Sequence, residues 1–330
     1  MKTVKIALIL SLVCCSLTGC AVTDPLPSWN EGLAKEAIIE FVEKTTSAGS
    51  SDFVEERDRI AVFDNDGTLW AEKPMYFQLA FVLERLVLLA PQHPEWKTEK
   101  PFKAALENDM KMLHTYGEEG LIKLLMATHA GMTTDEFEKI SKDWLAVAKH
   151  PRFNRSYTKC IYQPMLELID YLQANGFETW IVSGGGIEFM RPWTERVYGI
   201  PPQQVIGSSI KRKYEIRDGE PVIVREPKIS FINDKQDKPI GIWQHIGRRP
   251  IAAFGNSDGD FQMLEWTTAA SGPRLGLIVH HTDAKREWAY DRESSIGRLN
   301  RGLDEAKQRG WIIADMEKDF KVIFPFQPEN

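Results

Sequence analysis

Arg59-Ile60-Ala61-Val62-Phe63-Asp64-Asn65-Asp66-Gly67-Thr68 runs from a short apolar stretch straight into two carboxylates and a glycine. An apolar run this short and this abruptly ended predicts a buried strand of a parallel sheet. Open α/β sheets bind their ligands beyond the carboxyl ends of the strands, so Asp64 and Asp66 stand where chemistry is expected. Two acids buried together need a cation or a proton to offset them. Mg²⁺, a hard ion that prefers oxygen, suits that need. Gly67 permits a tight turn whose backbone N–H groups would face phosphate oxygens.

Outward from this stretch, similar apolar runs recur at 178–182, 251–254, 275–279 and 311–314. Helical patterns lie between them, such as 164–174, which ends at Asn175-Gly176. Strands alternating with helices predict an α/β fold, a parallel sheet with helices on both faces. An earlier helix is predicted over 34–45 from the spacing of Ala37, Ile38, Phe41 and Val42.

Two stretches break the rhythm. From 70 to 155 there are four helical patterns (76–90, 102–116, 118–128 and 134–148), a proline-punctuated loop at 91–101 and no strand. An all-helical block set directly after the first strand predicts a cap domain, leaving 31–69 and 156–330 as the core. The second break, 205–232, alternates polar and apolar residues around Asp218-Gly219, which predicts a β-hairpin insertion.

Three further segments carry chemistry. Trp180-Ile181-Val182-Ser183-Gly184-Gly185-Gly186 takes a strand into a hydroxyl and bare backbone amides, suited to an oxyanion. Its glycines lack the Gly-x-Gly-x-x-Gly spacing, and no acid ends a following strand, which excludes a dinucleotide site. Lys238 precedes a helical pattern. Phe254-Gly255-Asn256-Ser257-Asp258-Gly259-Asp260 again puts acids at a strand's end. Acidic and oxyanion-binding strand ends with one lysine make a metal-assisted phosphoryl-transfer site.

In this order, the four segments resemble the haloacid dehalogenase (HAD) superfamily, and within it the phosphoserine-phosphatase-like branch, over roughly residues 59–263. The resemblance implies a three-layer core with a cap inserted after the first motif, and Mg²⁺ as cofactor. It implies Asp64 as the nucleophile, which forms an aspartyl-phosphate and ligates the metal, and Asp66 as general acid and base, its carbonyl also a metal ligand. Ser183, Lys238 and the amides of Gly67 and Gly184 would bind phosphate, with Lys238 preferred to Lys235. Asn256 and Asp260 would complete the metal set. Asparagine stands at 256 where the family usually has aspartate, which removes one negative charge; the extra Asp258 is expected to restore it. Asp66 favours phosphate esters over carbon–halogen bonds. The family's amine-gripping glutamate has no clear match, because Lys73 occupies the expected offset and Glu72 lies one residue early. Trp70 is read as packing at the cap hinge.

The N-terminus points to export. Lys2 and Lys5 precede an apolar run too short to span a bilayer, and Leu17-Thr18-Gly19-Cys20 resembles a bacterial lipobox. Residues 1–19 are therefore expected to be a signal peptide, Cys20 the lipidated residue and 20–30 a tether on the outer side of a bacterial membrane, the outer membrane being favoured by Ala21. Of the four cysteines only Cys160 then remains, expected as a buried core residue. The net charge of −6 argues against nucleic acid as a partner, because a nucleic-acid backbone demands a basic face. The expected partners are a small phosphorylated metabolite and, through the lipid, a membrane; oligomeric state is not legible. His280-His281-x-Asp283 lacks a third spaced ligand and is read as structural, and the alternating charges of 285–292 as a solvated helix face. The alternatives to a phosphomonoesterase are phosphonate or pyrophosphate cleavage, or a non-catalytic protein of the same fold that binds a phosphorylated ligand.

Overall fold

The computed structural model describes residues 24–327. The expected signal peptide, Cys20 and the first part of the tether lie outside the described residues. The tether's latter part is not a free linker: Leu26 and Trp29 are buried, and the Trp29 indole N–H donates to the Pro164 carbonyl at 2.9 Å.

Seven strands form one sheet: β1 (Ile60–Phe63), β2 (Glu178–Gly186), β3 (Val205–Arg217), β4 (Glu220–Phe231), β5 (Ala252–Gly255), β6 (Leu275–His280) and β7 (Ile312–Asp315). Their spatial order is β4-β3-β2-β1-β5-β6-β7, parallel throughout except for the β3–β4 pair. The chemistry-bearing strand β1 thus lies between β2 and β5, the strands that end in the glycine triplet and just before Asn256.

Alternation along β1 builds the layers. Ala61 and Phe63 face one apolar layer, where they meet residues of α1 (Leu33–Thr46), α7 (Gln163–Ala174) and α8 (Ile187–Tyr198). Ile60 and Val62 face the other, against α9 (Asp237–Ile246), α10 (Phe261–Thr268) and α11 (Arg301–Arg309). A short α12 (Met316–Asp319) follows β7. Phe63 stacks on Phe254 of β5 with centroids 4.4 Å apart, and burying each ring contributes about 1.5–3 kcal/mol. That packing holds the carboxyl ends of β1 and β5 together.

The block after β1 is helical, as expected: α2 (Phe77–Leu89), α3 (Phe102–Leu106), α4 (Met110–Thr115), α5 (Gly117–His129) and α6 (Thr134–Val147). The pattern at 102–116 is two helices rather than one, divided at Asn108, whose φ of +54° no helix accommodates. The block has a small apolar core of its own, including Leu86, Trp96, Phe102 and Leu124. The predicted hairpin is β3–β4, turning at Asp218 and Gly219 with φ of +51° and +86°. Its outer strand leaves the core and meets the cap: Gly131 N–H donates to the Arg225 carbonyl at 2.8 Å, and Arg225 N–H to the Met132 carbonyl at 2.9 Å.

Residues 285–292 are not the expected solvated helix. They form an irregular strap in which Glu287 is fully buried and the Arg286 guanidinium donates to the carbonyls of Phe320 and Lys321. Cys160 is buried, as expected, and burial pushes its thiol up to about 12.

Candidate active site

The Asp64 N–H donates to the Phe254 carbonyl at 2.9 Å, so the β1–β5 ladder continues until the Asp64 side chain emerges past the sheet edge. The loop then folds on itself: the Asn65 carbonyl accepts from the amides of Thr68, Leu69 and Trp70. Gly67, at φ +78°, donates its N–H to the Trp70 carbonyl at 2.8 Å. The amide expected to face phosphate is therefore committed inside the loop. Glycine is required at this position, because a Cβ would collide with the Asn256 amide and the Glu72 carboxylate.

Lys238, in the first turn of α9, is buried, and its Nζ lies 2.6 Å from Asp64 Oδ1 and 2.6 Å from Asp260 Oδ1. Burial works against the charged amine, but the Asp260 and Asp64 carboxylates more than offset it and raise its pKa. Lys235 is largely exposed and only approaches Asp234, at 4.0 Å.

Ser183 is fully buried at the end of β2, where its Oγ accepts from the Gly185 N–H at 3.0 Å; Gly184 beside it is exposed. A Cβ placed on Gly185 would touch both Ser183 Oγ and Asp66 Oδ2, so the glycine lets the hydroxyl and the second aspartate approach the same point. The Trp70 indole N–H donates to Asp66 Oδ1 at 2.9 Å while the ring stacks on Trp193 at 4.4 Å. Trp70 thus packs at the hinge, as read, and also holds the acid. Desolvation lifts the Asp66 carboxyl to about 6, with the Trp70 hydrogen bond pulling the other way. An acid tuned towards neutrality suits proton donation.

In the loop after β5, Asp260 Oδ2 accepts from the amides of Asn256 and Ser257, both at 3.0 Å, while Oδ1 takes Lys238. Both its oxygens are engaged in holding the loop and the lysine. Asp258 does not restore the charge missing at Asn256. It turns away and caps α11, accepting from the amides of Asn300, Arg301 and Gly302.

Sequence reasoning did not bring the neighbours of this centre together. Glu72, 1% exposed, does not reach an opening where it would grip an amine. Its Oε1 accepts from Asn256 Nδ2 and from the Tyr290 hydroxyl, each at 2.8 Å. His281 fulfils its structural reading, its Nε2 lying 2.8 Å from the Gly67 carbonyl. From the helical block, Gln78 accepts the Gly186 N–H at 2.7 Å. These contacts join residues 108 to 218 positions apart, and no local pattern announces them.

The Lys238 ammonium serves Asp64 and Asp260, while Asp66 and Glu72, in the loop after β1, form no salt bridge among the described residues. Desolvation raises Asp64 well above the usual carboxylate range, with the Asp260 charge adding to it, and desolvation does the same to Glu72. The centre is short of positive charge. Its available donors are carboxylate, amide and carbonyl oxygens, the chemistry a hard divalent cation selects, so the residues fit Mg²⁺.

The family of haloacid dehalogenase-like hydrolases matches residues 61–265, more than half of the sequence, and the match spans all four motifs. The chain belongs to this family. No curated protein sequence matches the chain. Among solved structures, a protein of unknown function from Bordetella pertussis Tohama I is 17% identical, with 78% of this chain and 98% of that one covered and a TM-score of 0.47. A phosphoserine phosphohydrolase-like protein from Francisella tularensis is 17% identical over 76% and 98% of the two chains, with a TM-score of 0.40. As a haloacid dehalogenase-like hydrolase, the chain presents its motifs around one centre, including Asn256 where the family's aspartate is expected.

Proposed function

We propose that this hydrolase is a Mg²⁺-dependent phosphomonoesterase that works through an aspartyl-phosphate on Asp64. The observation that carries the reading is the Asp64 carboxylate 2.6 Å from the Lys238 ammonium, with Asp66 and Ser183 at the same strand ends. An anionic ester approaches a carboxylate only where cations cancel the repulsion. Asp64, the Asp66 carbonyl and the Asn256 side-chain oxygen would hold Mg²⁺, which when bound would neutralise phosphoryl charge.

One oxygen of Asp64 attacks phosphorus, and the bond to the leaving alkoxide breaks as Asp66 donates its proton to that oxygen. Asp66, now ionised, takes a proton from a water that attacks the acyl-phosphate, and Asp64 and inorganic phosphate are released. Lys238 holds Asp64 in place, and the Ser183 hydroxyl is free to donate to a phosphoryl oxygen, since its Oγ only accepts from Gly185. The buried position of Glu72 favours a small phosphorylated metabolite recognised by groups other than an amine clasp at this offset. Lipidation at Cys20 would place the activity in the bacterial envelope, and fatty-acid labelling lost in Cys20→Ser would support it.

Hydrolysis of p-nitrophenyl phosphate by the chain from Ala21 tests the reading. Turnover is expected with Mg²⁺, abolished by EDTA and reduced by at least ~10³-fold in Asp64→Asn. Activity retained in Asp64→Asn removes the nucleophile. Binding of a phosphorylated ligand without turnover favours the non-catalytic alternative, and a panel of phosphonates and pyrophosphates tests the other hydrolase chemistries.

A further inference from the structure

Glu72 is a buried carboxylate with no salt-bridge partner among the described residues. It is 1% exposed, and its partners are two neutral donors, Asn256 Nδ2 and the Tyr290 hydroxyl, both on Oε1. No lysine, arginine or histidine forms a salt bridge with it among the described residues. Its neighbour Lys73 turns instead to Ser294 Oγ at 2.6 Å and the Ile296 carbonyl at 3.1 Å. An unpaired charge at such a depth is strongly destabilising unless a cation offsets it.

The same carboxylate decides how Asn256 lies. With Glu72 ionised and the amide reversed, Asn256 Oδ1 would stand 2.8 Å from Glu72 Oε1, two acceptors with no proton between them. Glu72 therefore draws the NH₂ group to itself and turns Oδ1 the other way, where the Thr68 hydroxyl donates to it at 3.2 Å. The second lone pair of that oxygen stays available to a metal. The seat is built closely: a Cβ on Gly67 or on Gly297 would overlap Glu72 Oε1. Glycines of the catalytic loop and of the segment that follows the strap thus let Glu72 lie directly beside the Asp64 loop.

We propose that Glu72 is a positioning residue for the divalent cation, supplying from behind Asn256 the negative charge that asparagine lacks and fixing the amide with its oxygen towards the ion. This rests on the metal-dependent reading above. Outer partners that orient metal ligands typically contribute 10–100-fold to metal affinity. Glutamine at 72 keeps the shape and can still accept from Asn256 and Tyr290, so its effect isolates the charge.

Isothermal titration of the intact soluble chain with Mg²⁺, without substrate, gives the decisive number. Glu72→Gln is expected to weaken binding about 10–100-fold and to shrink the Mg²⁺-induced rise in Tm, while the Tm in EDTA holds or rises. The double variant Glu72→Gln/Asn256→Asp moves the charge onto the ligand itself and is expected to recover wild-type affinity to within several-fold. Wild-type affinity in Glu72→Gln overturns the assignment, as does failure of the double variant to recover. If wild-type protein itself binds no Mg²⁺, the metal-dependent reading fails instead, a result these two outcomes cannot mimic.

Discussion

The loops after β1 and after β5 are both acidic and lie side by side, yet their acids are held in different ways. In the β5 loop every carboxylate oxygen is engaged by the protein: Asp260 by Lys238 and two amides, Asp258 by the three amides that open α11. In the loop after β1, Asp66 meets only an indole N–H, Glu72 only neutral donors, and Asp64 shares one lysine with Asp260. The first loop is a scaffold whose electrostatic demands are met internally. The second carries unmet demand, and a cation and a substrate can satisfy it. The unmet demand follows the shortage of partners rather than the number of acids.

The largest test of that contrast is the lysine that the two loops share. Lys238→Met leaves the Asp64 and Asp260 carboxylates buried without their cation, and a loss of about 3–5 kcal/mol in urea unfolding is expected. Near-neutral stability would show that solvent reaches the pair. Asp258→Ala comes next: three amides of α11 lose their cap, which costs about 1–2 kcal/mol. Its Mg²⁺ affinity is expected to stay at the wild-type value, and weaker binding would place Asp258 back in the metal site.

The smallest effect is a slope with pH. The Asp66 pKa rises from 3.8 unfolded to about 6 in the fold, so the native chain holds that proton more tightly. The associated stability is complete below the unfolded value and is lost as pH rises through about 6. Asp66→Asn has no such group. In EDTA its Tm relative to wild type is therefore expected to climb between about pH 4 and 7, and a flat difference would mean that Asp66 is well solvated.

What the sequence disclosed was local in origin. The β1 strand and its acids were legible because an apolar run meets Asp-x-Asp-Gly within a few residues. The hairpin was legible because Asp218-Gly219 tolerates two positive φ angles in succession. Lys238 was separable from Lys235 by its place at a helix start. The break at Asn108 was missed, since a single left-handed residue leaves the apolar spacing on either side intact. Asp258 was misread because its charge was visible whereas the helix terminus it caps lies more than 40 residues further on. Glu72 was measured against an expected substrate contact, and its partners at 256 and 290 come near only after the sheet has assembled.

The backbone bonds on either side of Arg225 stitch an arm of the central sheet to the helical block. That block cannot swing away as one rigid flap without breaking those bonds. The amide protons of Gly131 and Arg225 report on that seam, and their exchange into deuterated water measures how often it opens.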